Sequence, residues 1–189
     1  MLSAVSHIEG DVEFKYGRVH WSFGEALLSE EIEIERMTWE EVDEKIKGGV
    51  TTVVFGVGSI EQHGPVLPLG SDAFIGSYTT LQVARNLGNA LVAPIIRPGC
   101  SRHHMEFPGT ITLRPETLMD LIEDYCLSLA RHGFKRIVVL STHGGNITMV
   151  QQACQRASEK LPDCDIIGLR AADTLYWPEE IGPIGIHHA

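Results

Sequence analysis

A chain of 189 residues, 43% hydrophobic and 21% charged, is long enough for one well-buried core and too short for two large ones. Its formal net charge of -10 argues against a nucleic-acid surface, because phosphates would be repelled. No run approaches the roughly 20 apolar residues of a membrane span, and residues 1–7 lack the basic start and apolar run of a secretory signal.

Residues 1–36 differ from the rest and read as an N-terminal extension. The alternation Glu31, Ile32, Glu33, Ile34, Glu35 suits a half-buried edge strand; the alternative is an arm that packs on a neighbouring subunit. Regular patterning begins at Thr38. Thr38-Trp39-Glu40-Glu41 reads as a capping box, with Trp39, Val42 and Ile46 at helical spacing and Gly48-Gly49 as the stop. An apolar strand over 52–57 follows. The spacing then predicts a helix over 73–87, with Tyr78, Leu81, Ala84 and Leu87 on one face and Gly88 at its end. A second strand over 90–96 leads into a long loop, 97–113. Pro115 opens another helix, with Leu118, Leu121, Ile122, Tyr125 and Leu129 inward and Gly133 as terminator. A strand over 136–140, a helix over 147–161 and a strand over 165–169 complete the series. Cys100, Cys126, Cys154 and Cys164 show no C-x-x-C pairing, so reduced thiols in a cytoplasmic protein are expected rather than a disulfide framework.

Near-continuous Val, Ile and Leu strands alternating with amphipathic helices indicate an α/β fold. The expected architecture is a three-layer α/β/α sandwich with a mainly parallel central sheet, over residues 37–189. Ligands of such sheets bind outside the carboxyl ends of the strands. Three polar, glycine-rich segments fall there: 61–72, 100–109 and 143–146.

In the first of these, Glu61 and His63 are two apart, so on extended chain both side chains leave on one face. Pro65 and Pro68 stiffen the loop, and Asp72 arrives at the start of the next helix. Two carboxylates and an imidazole suit a hard or borderline divalent metal; equally, Asp72 can serve as a helix cap while Glu61 and His63 face water. His143, in His143-Gly144-Gly145-Asn146, either belongs to a turn that leaves it exposed or, at the end of the neighbouring strand, converges on the same crevice as His63. Its glycines let backbone approach a ligand, and Asn146 can cap the following helix. The loop around Arg102-His103-His104 is either solvated or, in the functional reading, in contact with substrate or supporting the site rather than ligating a metal directly.

Taken together, G-S-I-E-Q-H-G-P-V-L-P-L-G-S-D, H-M-E-F-P-G-T, T-H-G-G-N and a closing H-A resemble the creatininase (creatinine amidohydrolase) family, from about Met37 to the last residue. The resemblance implies a metal-dependent hydrolase, homo-oligomeric and often hexameric, acting on C–N bonds of cyclic amides, formamides or small peptides through a metal-bound hydroxide. It carries Glu61, His63, Asp72 and His143 over as ligands of zinc, manganese or iron, with two ions per chain and Asp72 between them. His188 matches a histidine that moves a proton at the reacting bond, and His104 and Asn146 are expected at the substrate. Partners beyond a small-molecule substrate are not implied: no nucleic acid, no membrane.

Three departures qualify the match. Val66 stands where family members often carry histidine. Gly145 occupies a position where creatininase itself carries a glutamate ligand, which points to a relative rather than to a strict creatinine hydrolase. The family also continues past His-Ala with a Gly-x-x-Glu-Thr-Ser segment, whereas this sequence stops at Ala189. Two rival readings follow: a non-catalytic or single-metal relative serving as a binding or assembly subunit, and a metal hydrolase that opens a lactone or cyclic ketone.

Overall fold

The computed structural model describes residues 8–14, 17–23 and 31–174. It divides into two units, Met1–Glu31 and Ile32–Ala189. In the first, β1 (Ile8–Phe14) and β2 (Gly17–Phe23) pair antiparallel, Ile8 opposite Phe23 and Phe14 opposite Gly17. The second begins with the stretch expected as an edge strand. Only one parallel bridge forms there, Glu33 beside Val92, before the chain turns into a 3-10 helix at Ile34–Arg36.

Helix α1 (Trp39–Lys47) opens on the capping box: the Thr38 hydroxyl accepts from the Glu41 amide, and the Glu41 carboxylate accepts from the Thr38 amide. Val42 and Ile46 pack on the core. Trp39 was expected beside them but is 76% exposed. As the first residue of the helix it has no preceding turn to lean back on.

Strands β3 (Thr52–Val57), β4 (Ala90–Val92), β5 (Arg136–Ser141) and β6 (Asp165–Arg170) form one parallel sheet in the order β4-β3-β5-β6. Strand β3 is buried at every position. Its residues alternate between two apolar clusters: Val53, Phe55 and Val57 meet helices α3 (Pro115–Arg131) and α4 (Ile147–Lys160) on one face. Val54 meets α2 (Ser71–Leu87) on the other. The register puts Val53 beside Ile137 and Phe55 beside Val139, so each cluster continues onto β5. Helices therefore cover both faces, the three-layer arrangement the sequence pattern implies. Across the α3–α4 seam, buried Glu123 is clamped by Arg156 at 2.9 Å and by Lys160.

Two boundaries differ from expectation. Strand β4 stops at Val92 instead of 96: the Ala93 amide still reaches the Val54 carbonyl at 2.9 Å, but the register then slips by one residue, from Val92 beside Val54 to a single bridge between Ile96 and Val57. Helix α2 starts at Ser71, so Asp72 lies inside its first turn rather than before it. Its buried face is Ala73, Gly76, Thr80 and Ala84, while Tyr78 and Leu87, expected inward, are 50% and 53% exposed. Small residues win that face because the helix runs close to the sheet: a Cβ on Gly58 would lie 2.7 Å from Ala73 Cα. Among the described residues no helix is long and apolar enough to cross a membrane.

Connections from β3 run to β4 on one side, and from β5 to β6 on the other. The crevice between the carboxyl ends of β3 and β5 is thus a topological switch point, where ligands of open parallel sheets bind. A groove of about 590 Å³ exists at the opposite, amino ends, lined by Thr52, Arg136 and Asp165 among others. It holds none of the clustered histidines.

Candidate metal centre

Glu61 follows β3 in a loop closed by its own amide, which donates to the Leu69 carbonyl at 2.9 Å. The side chain is fully buried. Asp72 is brought opposite by the close approach of α2. The Thr142 hydroxyl, from the end of β5, holds the Asp72 carbonyl at 2.8 Å, and the Ser59 hydroxyl donates to Asp72 Oδ2 at 2.8 Å. Ser59 and Thr142 thus position the carboxylate, a role that only the tertiary structure discloses.

Two imidazoles face these carboxylates, each with one nitrogen committed to backbone. His63 Nδ1 lies 3.0 Å from the Glu61 carbonyl, and its Nε2 lies 3.1 Å from Asp72 Oδ1. His143 Nε2 lies 3.2 Å from the Cys100 carbonyl, and its Nδ1 lies 3.2 Å from Glu61 Oε1 and 3.1 Å from Asp72 Oδ2. A carbonyl only accepts, so the nitrogen touching it carries the proton and the other turns its lone pair toward the carboxylates. Lone pairs facing carboxylate oxygens need a proton or a cation between them. Backbone-oriented histidine is also how metal-ligating imidazoles are held in place.

The donor atoms of Glu61, His63 and Asp72 all lie within 4.8 Å of one another, and so do those of Glu61, His103 and His143. Nitrogen and carboxylate oxygen in such clusters suit zinc, manganese or iron. The residues present therefore fit a divalent ion, and the structure brings the four expected ligands to one point. His103 was not singled out from the sequence. The signal available was the His103-His104 pair in a loop aimed at the same crevice.

Without metal, protons do the neutralising. Burial works to lower the His143 pKa, but hydrogen bonds to Asp72 and Glu61 raise it to about 9. Burial works to raise Glu61, but hydrogen bonds from His143 and Ser101 hold it down at about 2. Asp72 is likewise lowered, against the effect of its burial, by His143 and Ser59. The raised histidine stabilises fully below its ordinary 6.5 and loses that contribution as pH rises through about 9. The depressed glutamate stabilises above its ordinary 4.5 and loses that contribution as pH falls toward about 2. Chelator-treated protein is therefore expected to be most stable between those ordinary values. Thermal denaturation across pH should show the midpoint falling from pH 6.5 to 9.5; a flat profile there would contradict a protonated His143 between the carboxylates.

His104 also turns toward the cluster. The Gly64 amide donates to Gln62 Oε1 at 2.9 Å, which fixes the Gln62 amide so that its nitrogen meets His104 Nδ1 at 3.0 Å. His104 Nε2 then carries the hydrogen, 3.8 Å from Glu61 Oε1. Asn146 behaves differently from expectation. Its side chain makes no cap bond to α4 and is fully buried. Oδ1 accepts from the Cys100 amide at 2.8 Å and Nδ2 donates to the Gly58 carbonyl at 2.8 Å, tying three loops together. With both ends of its amide engaged by backbone, Asn146 braces the site. Val66 is 86% exposed. His188 lies outside the described residues.

Residues 35–185 match the family model for creatininase, described as creatinine amidohydrolase. The chain is 27% identical over 155 residues to the creatinine amidohydrolase of Pseudomonas putida, covering 79% of this chain and 59% of that protein. It is 37% identical over 109 residues to the mycofactocin precursor peptide peptidase of Mycolicibacterium smegmatis, covering 55% and 44%. A solved structure described as "Creatininase Mn" superposes with a TM-score of 0.72 at 27% identity, covering 80% of this chain and 63% of that one. The chain thus spans between about two fifths and two thirds of the length of the proteins it matches.

Proposed function

The chain belongs to the creatininase family, and from that premise we propose that it is a metal-dependent amidohydrolase. Its substrate is a small cyclic amide, a formamide or a related compound, cleaved at a C–N bond. The observation that carries this reading is the convergence of Glu61, His63, Asp72 and His143, with both imidazoles turned inward by backbone carbonyls.

Those four residues would hold zinc, manganese or iron, about two ions per chain. When bound, such an ion supplies Lewis acidity, polarising a carbonyl oxygen and acidifying water. The chain's own residues do the rest. Asp72 offers Oδ1 on the His63 side and Oδ2 on the His143 side, so one carboxylate serves both halves of the site. His104 presents its Nε2–H beside Glu61, placed to donate to a polar substrate atom. Met105 and Phe107, about half exposed in the same loop, offer apolar surface beside His104, whose ring meets that of Phe107 at 6.1 Å. His188, assigned by its motif, delivers a proton to the departing nitrogen.

A cytoplasmic homo-oligomer, hexameric by resemblance, is part of the same proposal. Exposed Val66, Leu67, Phe74 and Tyr78, on α2 and the loop before it, support an interface between copies.

Metal-reconstituted protein is to be incubated with creatinine, an N-formyl amine and short peptides, and the ring-opened, deformylated or cleaved products followed by mass spectrometry. Turnover of at least one class, abolished by chelation, is the expected result. Fully loaded protein that opens only a lactone or cyclic ketone would relocate the bond. No turnover of any class would leave a binding or assembly subunit.

A further inference from the structure

We infer that His103 is a ligand of a divalent cation held by Glu61 and His143, at a position beside the one formed by Glu61, His63 and Asp72. The inference rests on the metal-hydrolase reading and extends it to a residue outside the expected ligand set.

Three observations carry it. The donor atoms of Glu61, His103 and His143 lie mutually within 4.8 Å, the same closeness as in the Glu61, His63 and Asp72 group. Glu61 belongs to both groups, so the two positions share a carboxylate. The His103 ring is also held in place: it stacks parallel to His143, 3° between planes and 5.8 Å between centroids, with His104 against it at 4.1 Å.

The turn that bears it is braced on either side. Arg102–His104 is a 3-10 turn whose closing bond runs from the His104 amide to Ser101, at 2.9 Å. Before it, the Cys100 amide is tied to Asn146 and the Ser101 amide to Thr112, at 2.8 and 2.9 Å. A solvated loop has no need of such anchoring, whereas a ligand must be held to within a fraction of an ångström.

The chemistry of the neighbouring arm points the same way. Beyond His143, the chain offers Gly144, Gly145 and Asn146. The glycines have no donor side chain, and the asparagine is spent on backbone. A cation on Glu61 and His143, with Asp72 Oδ2 3.1 Å from His143 Nδ1, therefore draws any further protein ligand from the other loop, where the exposed His103 stands. Imidazole suits zinc, manganese and cobalt alike, and the open side leaves room for water or substrate.

Cobalt(II) titration tests this, by calorimetry and by visible absorption. His103→Ala should keep the wild-type melting temperature while one class of Co²⁺ site weakens at least about tenfold, the scale on which even outer contacts of a metal ligand act. His103→Cys loaded with Co²⁺ should gain a thiolate-to-cobalt charge-transfer band that wild type lacks. An isotherm for His103→Ala that matches wild type, or a cobalt-loaded His103→Cys without that band, overturns the inference and leaves the metal-hydrolase reading standing. Wild-type protein that binds no Co²⁺ overturns both.

Discussion

Asp72→Ala is expected to yield protein with no stoichiometric divalent ion, where wild type purified without chelator carries about two per chain. The size of the effect follows from where the two oxygens point. Oδ1 lies 3.1 Å from His63 Nε2, and Oδ2 lies 3.1 Å from His143 Nδ1 and 2.8 Å from the Ser59 hydroxyl. Removing one side chain therefore strips a ligand from both halves of the site, and any hydrolytic activity should fall by at least about a hundredfold. The fold should survive, because the elements around Asp72 are joined by other contacts. The Asp72 carbonyl still receives the Thr142 hydroxyl, and Asn146 still ties Gly58 to Cys100. Asp72→Asn separates charge from shape, since the amide keeps an oxygen for Ser59 but loses the negative charge a cation needs. Elemental analysis of the three proteins decides the matter. A full metal complement in Asp72→Ala would place the ions elsewhere.

How far this could be read from the sequence depends on the range of each interaction. The strands were legible because β3 and β5 are buried on both faces and so nearly unbroken in apolar residues. Helix α3 was legible because Pro115 marks its start and Leu118 and Ile122 mark its buried side. Helix α2 was legible only in part: of the face its spacing picks out, Ala84 is buried and Leu81 packs on the core, whereas Tyr78 and Leu87 are exposed. Its true inner face is Ala73, Gly76, Thr80 and Ala84, chosen for closeness to β3 rather than for hydrophobicity. Glu61, His63, Asp72 and His143 stood out through their motifs and their place after strands. The supporting contacts did not. Asn146 reaches partners 46 and 88 residues away, and nothing local distinguishes an asparagine that braces three loops from one that caps a helix. His103 is similar: its relation to His143 exists only once the turn at Arg102–His104 is folded back over β5's end.

Placing a carboxylate at Gly145, where the family resemblance sets a glutamate ligand in creatininase, is expected to weaken metal binding rather than strengthen it. Gly145 is absent from the glycines with positive φ, so its backbone conformation would accept another residue. The obstacle is space. A Cβ there would fall inside the van der Waals surface of His143 Nε2 and only 2.6 Å from the Cys100 carbonyl oxygen. These two atoms make the 3.2 Å hydrogen bond that turns His143 Nδ1 toward Glu61 and Asp72. The backbone oxygen is further constrained, since the Cys100 amide is tied to Asn146. Any side chain at 145 must therefore push the imidazole or the loop, at an overpacking cost of about 1–3 kcal/mol. With the His143 ring displaced, metal affinity should fall at least about tenfold. Gly145→Ala serves as the discriminating control: it adds the Cβ without a carboxylate, so it should lower the melting temperature and the affinity much as Gly145→Glu does. Metal titration and thermal denaturation of both variants read the outcome. Tighter binding in Gly145→Glu than in wild type would mean that the arm can yield, and that its glycine is not what fixes the histidine.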